Sequence, residues 1–107
     1  MKAIPTVQVD NERVLVTRWQ FAPGAETGQH VHAYDYVVVP LTNGRLRLQE
    51  PGGDREVQLQ SGVAYARPAG VAHNVINASP HEFVFVEIEL KQPGSQAAAP
   101  APGARLR

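Results

Sequence analysis

The sequence contains no cysteine. Disulfides, thiolate zinc sites, iron–sulfur clusters and a nucleophilic thiol are thereby excluded. An excess of charge of one sign is also missing: Lys and Arg total 10, Asp and Glu total 10, and the pI is about 6.9. That balance gives neither the basic footprint of a nucleic-acid binder nor a polybasic membrane patch. No apolar run approaches the ~20 residues that cross a bilayer. The opening MKAIPTVQVD lacks the apolar core of a secretory signal, so a cytoplasmic protein is expected. What is present is one domain's worth of chain, 107 residues, of which 43% are hydrophobic. Such a composition folds. Its strong nitrogen ligands are four histidines: His30, His32, His73 and His81.

Residues 92–107 read QPGSQAAAPAPGARLR, rich in proline, alanine and glycine without apolar periodicity. A flexible tail is expected there, leaving residues 1–91 as the folded domain. Those residues read as all-β. Val14–Phe21, Tyr34–Leu41 and Phe83–Leu90 are long runs of β-branched and aromatic residues. Shorter candidates are Thr6–Val9, Gly44–Gln49, Glu56–Leu59, Val63–Ala66 and His73–Asn77. Asn43-Gly44 is a hairpin signal, so the strands on either side of it are expected to pair directly. No window carries a sustained helical period, and many short strands at this spacing mean a sandwich or small barrel of antiparallel strands. Phe83–Leu90 and Val37–Val39 are apolar on both faces. A barrel has one interior, so the second face needs a cover: the N-terminal segment, or a second copy in a homodimer.

His30 and His32 are separated by one residue. If extended, they share a strand face with about 6.6–6.8 Å between Cα atoms. Two imidazoles so placed can share a metal at about 2.0–2.1 Å per nitrogen. The glycine-bearing PGAETGQ before them is loop-like, which places the pair at a barrel mouth open to ligands.

Two longer patterns enclose these residues. The first is Gly24-AETGQ-His30-Val31-His32; the second is Gly62-x5-Pro68-x-Gly70-x2-His73-x3-Asn77. Together they resemble the two signature motifs of the cupin superfamily, over about residues 14–90. The resemblance implies a cupin-type jelly roll and a metal held by motif histidines. The wording HVHAYDYVVVPLTNGRLRL, YARPAGVAHNVIN and HEFVFVEIELK is similar to a group of small bacterial cupins, some labelled β-alanine degradation proteins. That similarity hints at small carboxylic-acid metabolism.

The local physics is consistent with this. Pro68 and Gly70 make a tight turn that delivers His73 onto a new strand, where His73, Val75 and Asn77 share a face. His30 and His32 come from another strand, so three imidazoles are expected to converge from two walls of the barrel. Three histidines with open positions form a catalytic type of site rather than a closed structural one. The ion expected is a divalent first-row transition metal, with Fe(II) favoured and Zn, Ni, Mn or Cu chemically compatible.

One position departs from the family pattern. Four residues after His32, where cupins usually place a glutamate ligand, stands Tyr36. Asp35 is nearby, but by strand parity it points the other way unless a β-bulge intervenes. The 2-His-1-carboxylate triad is therefore expected to be missing. A site of three neutral imidazoles leaves more charge on the ion, which favours anionic or enolisable oxygen donors and hence an anionic small-molecule substrate. Three-histidine cupins include thiol dioxygenases and diketone-cleaving oxygenases, so the resemblance still permits metal chemistry. Tyr36, the candidate catalytic residue, has three readings: a phenolate ligand, a hydrogen-bond donor to a bound ligand, or a pocket wall. Tyr34 shares its face and could narrow the mouth.

His81 reads as a surface residue. Glu87 and Glu89 read as solvated charges if their face is exterior, or as partners of the site if it is interior; the exterior reading is favoured. Arg47, Gln49 and Arg67 are candidates for holding a substrate carboxylate. The first functional reading is a metal-dependent enzyme, dioxygenase-like or Lewis-acid in chemistry, acting on a small carboxylic or carbonyl acid. The alternatives are a ligand-sensing module without turnover and a structural cupin without metal.

Overall fold

The computed structural model describes residues 1–91; the tail expected over 92–107 lies outside the described residues. Nine strands carry the chain: β1 (Ile4–Asp10), β2 (Val14–Phe21), β3 (His30–Val31), β4 (Asp35–Pro40), β5 (Gly44–Glu50), β6 (Gly53–Leu59), β7 (Tyr65–Arg67), β8 (Ala72–Asn77) and β9 (Phe83–Leu90). No helix forms among the described residues, so none could cross a membrane. The strands make two antiparallel sheets, ordered β1-β2-β9-β4-β7 and β3-β8-β5-β6, packed face to face as a jelly roll.

The Asn43-Gly44 expectation fails. β4 does not pair with β5, because both its edges are taken by β7 and β9, and the chain crosses there into the second sheet. Gly44 is not among the positive-φ glycines. It is needed for close approach instead: a Cβ there would meet the Ser79 hydroxyl and stand 2.6 Å from Phe83 Cδ2. Asn43 serves as an acceptor, taking the Ser61 N–H at 2.8 Å.

Alternation along β9 sorts the interior. Phe83, Phe85 and Glu87 face inward and are buried, while Val86, Ile88 and Leu90 face outward. Phe21 and Phe83 are fully buried, and Phe21 packs on Phe85 with ring centroids 5.4 Å apart. With Leu46, Val38 and Val75 these rings fill one end of the sandwich. Fully burying each such side chain contributes roughly 1.5–3 kcal/mol. The apolar core stops at Phe85, and the next inward residue on β9 is Glu87. From there the interior turns polar, and the histidines lie at that end.

Register sets the walls of the polar end. Across the five-stranded sheet, Glu87 stands beside Val38 and Val38 beside Tyr65; one row further, Glu89 stands beside Tyr36 and Tyr36 beside Arg67. Carboxylates therefore line β9 and Arg67 lines β7, with β4 between them.

Candidate metal centre

His30 opens β3 and is the direct register partner of His73 on β8. The three histidines thus meet within one sheet rather than from two walls, because β3 and β8 are neighbours. His32 follows β3 and is held by two backbone bonds: its N–H donates to Val71 at 2.9 Å, and its carbonyl accepts from Gly70 at 2.8 Å. Gly70 has φ +92°, a conformation few residues but glycine adopt, which accounts for the turn signal preceding His73.

The three Nε2 atoms converge. His30 Nε2 is 3.0 Å from His32 Nε2, which is 3.1 Å from His73 Nε2. At metal–nitrogen bonds of about 2.1 Å, such separations correspond to angles of about 90–95°, whereas tetrahedral ligands would stand about 3.4 Å apart. Both separations are shorter than a tetrahedral pair would show, and all three ligand atoms lie within 4.8 Å of one another. Tautomer chemistry agrees: His30 Nδ1–H donates to the Gly28 carbonyl at 2.8 Å, leaving the Nε2 lone pair for the shared centre. Burial, with the neighbouring imidazoles, lowers His32 and His73 from 6.5 to about 4, so both rings are neutral at pH 7. Arg67 adds to that lowering in each ring. A cluster of this kind can hold a transition-metal ion.

A network behind the histidines fixes the loop that carries them. Asn74 Oδ1 accepts the Gly28 N–H at 2.9 Å, and its Nδ2 donates to Glu26 at 2.6 Å and to Gln49 at 2.9 Å. Thr27 Oγ1 accepts the Val75 N–H at 3.1 Å. The loop before β3 is thereby pinned to β8, holding His30 against His73. Nothing in the motif reading singled out Asn74.

Tyr36 is buried and stacks on the His32 ring, with centroids 3.8 Å apart and planes 20° apart. Burial raises its pKa well above the ordinary tyrosine value, which keeps the phenol protonated and disfavours the phenolate reading. Among the described residues its hydroxyl has no hydrogen-bond partner, and neither does His73 Nδ1. Asp35 faces away, as parity requires, and accepts the Ala69 N–H at 2.8 Å.

A carboxylate nevertheless reaches the site, from β9. Glu87 is 8% exposed, with Oε2 3.8 Å from His32 Nε2. Burial, then the charge of Glu89, raises it to about 7. The favoured exterior reading of Glu87 is therefore overturned. The signal was parity with Phe83 and Phe85, the two most aromatic positions of the strand. Glu87 and Glu89 line an open cavity of about 260 Å³ with Trp19, Thr27, His30 and His32. Of the other candidates, Arg47 pairs with Glu56 at the surface, Gln49 serves Asn74, and His81 is exposed as expected. Tyr34 lies before β4, near Lys91. Arg67 faces inward beside Tyr36.

Known proteins share this arrangement of strands. The chain is 67% identical over 90 residues to the beta-alanine degradation protein BauB of Pseudomonas aeruginosa, covering 84% of this chain and 95% of that protein. The crystal structure of a cupin domain from Bordetella pertussis superposes with a TM-score of 0.83 at 64% identity, covering 84% and 94% of the two chains. The polyketide cyclase RemF of Streptomyces resistomycificus, at 18% identity, shares the fold alone, with a TM-score of 0.69 over 84% of this chain and 66% of that one. Residues 17–89 match the model of the cupin domain, and the chain belongs to the cupin family.

Proposed function

We propose that this protein is a metal-dependent enzyme in which His30, His32 and His73 hold a divalent first-row transition metal, Fe(II) in preference to Zn, Ni, Mn or Cu. The observation that carries the reading is the convergence of the three Nε2 atoms, with His30 locked by Gly28 in the tautomer a ligand needs. When bound, such an ion supplies Lewis-acid polarisation of an oxygen donor or activation of dioxygen. The protein's own contribution is positioning. Asn74 and Thr27 hold the loop before β3, and Tyr36 fixes the plane of His32 by stacking. Its buried hydroxyl is a donor available to a bound ligand.

The substrate class is a small carboxylic or carbonyl acid. The name of the Pseudomonas relative supports this by placing that protein in the degradation of a small amino acid. Oxygen consumption by the iron-loaded protein, screened over small β-amino, β-thio and β-keto acids, tests the reading. Uptake with one class is expected; metal bound at one per chain with silence across the panel would leave a ligand-binding module.

We further propose that a second copy covers the outer face of the five-stranded sheet. Val16, Ile88 and Val37 form an in-register row across β2, β9 and β4, continued on β1 by the exposed Val9. An isologous pairing of two such faces would cover both rows at once.

A further inference from the structure

The two sheets part where their edge strands, β6 and β7, lie without a ladder between them. A cavity of about 200 Å³ lies in that gap, lined by Leu48, Arg55, Val57, Leu59, Tyr65 and Arg67. Tyr65 and Arg67 reach it from β7 because they share the inward face with Val38 and Tyr36, their register partners. Arg55 comes from β6 with the parity of Val57 and Leu59. Two guanidiniums from two sheets thus share one opening.

Glu50 bridges the two guanidiniums with its single charge. Its carboxylate is 2.8 Å from Arg55 and 3.4 Å from Arg67, so two cations meet one anion. The bond to Arg67 is long, and Arg67 keeps donors for a second carboxylate. Leu48, Val57 and Leu59 supply an apolar wall beside them. This cavity adjoins, at Leu48, Tyr65 and Arg67, a smaller one of about 20 Å³ that touches Tyr36, His73 and Glu87. Among the described residues, those with unpartnered buried polar side-chain atoms, Tyr36 and His73, both line that inner space. The mouth beside His30 is lined by the carboxyl groups of Glu87 and Glu89, and Glu87 also lines the inner space. The two guanidiniums attract an anion at the β6–β7 gap.

We propose that Arg67, Arg55 and Tyr65 form a carboxylate subsite, and that the ligand is a small monocarboxylate with a short apolar stem, entering between β6 and β7. The proposal deepens the enzymatic reading and rests on it for whatever chemistry follows, but binding at the subsite does not require the metal.

The test is a nuclear magnetic resonance titration of the full chain with sodium butyrate, and separately with n-butanol and n-butylamine. Butyrate is expected to shift the methyl signals of Leu48, Val57 and Leu59 saturably, while the alcohol and the amine do so at least about tenfold more weakly. Arg67→Met and Arg55→Met are each expected to weaken butyrate about tenfold, and Arg67→Lys to restore part of the loss. Equal binding of the alcohol, stronger binding of the amine, or unchanged butyrate affinity in both methionine variants would overturn the proposal. Metal content measured on the same samples separates the two readings. Metal at one per chain without a butyrate response sinks the subsite alone; a butyrate response without metal sinks the enzymatic reading alone.

Discussion

His30 and His73 face each other directly across the β3–β8 ladder, and His32 Nε2 lies 3.1 Å from His73 Nε2. Because the residues are separated by more than forty positions of chain, this ladder is what makes a single centre of them. Replacing His73 by Ala is expected to reduce bound metal from near one per chain to near zero. The metal-free variant should stay folded, within about 1–2 kcal/mol of the parent in urea unfolding. Retained stoichiometry would remove His73 from the ligand set.

Tyr36 carries two separable roles. Its ring stacks on His32 and fills the core, whereas its hydroxyl is buried without a partner among the described residues. Tyr36→Phe keeps the ring and removes an unsatisfied group, so stability should hold or rise by up to about 1 kcal/mol, with metal retained. If the hydroxyl serves a bound ligand, turnover falls in the same variant. Tyr36→Ala removes both and is expected to cost about 3–5 kcal/mol. A Tyr36→Phe protein that loses its metal would assign the hydroxyl to the ion itself.

The buried imidazoles make the metal-free protein acid-sensitive. His32 and His73 are lowered from 6.5 to about 4 by burial, so between those values the unfolded chain takes up protons that the folded chain refuses. Stability therefore rises with pH across that window, on the order of 2–3 kcal/mol for each ring. Glu87, raised from 4.5 to about 7 by burial, acts oppositely: the folded protein keeps a proton the unfolded chain has lost, and stability falls over that range. Glu89, also raised by burial, acts in the same direction as Glu87. Urea unfolding of Glu87→Gln from pH 4 to 7 should show a steeper rise than the parent. A flat profile in that variant would mean that the imidazoles are not held neutral.

The apolar row on the outer sheet face predicts a dimer. Light scattering on the full chain should give twice the mass of one chain, and Ile88→Glu, at the centre of the row, should give a monomer with unchanged circular dichroism. A parent protein that runs as a monomer at high micromolar concentration would contradict the pairing.

Much of this was legible in the residues. Val14–Phe21 and Phe83–Leu90 are strands with the bounds their composition suggests, because long β-branched and aromatic runs allow little else. Asp35 faces away from Tyr36, as period-two alternation demands. At Asn43-Gly44 the hairpin expectation fails because a local turn signal carries no information that β4 is already paired on both edges. The placement of β3 beside β8 was equally hidden, since ladder partners far apart in sequence leave no local trace. Glu87 was readable in principle: Phe83 and Phe85 mark the inward parity, and Glu87 continues it. The two apolar faces of that strand concealed which parity pointed inward.

The most direct measurement is an anomalous-difference map, collected at several metal absorption edges, from crystals of protein purified without an affinity tag. A single peak per chain is predicted, about 2.0–2.3 Å from Nε2 of His30, His32 and His73 together. A map with no peak there after anaerobic soaking in Fe(II), or with the ion bound elsewhere on the chain, would contradict the account.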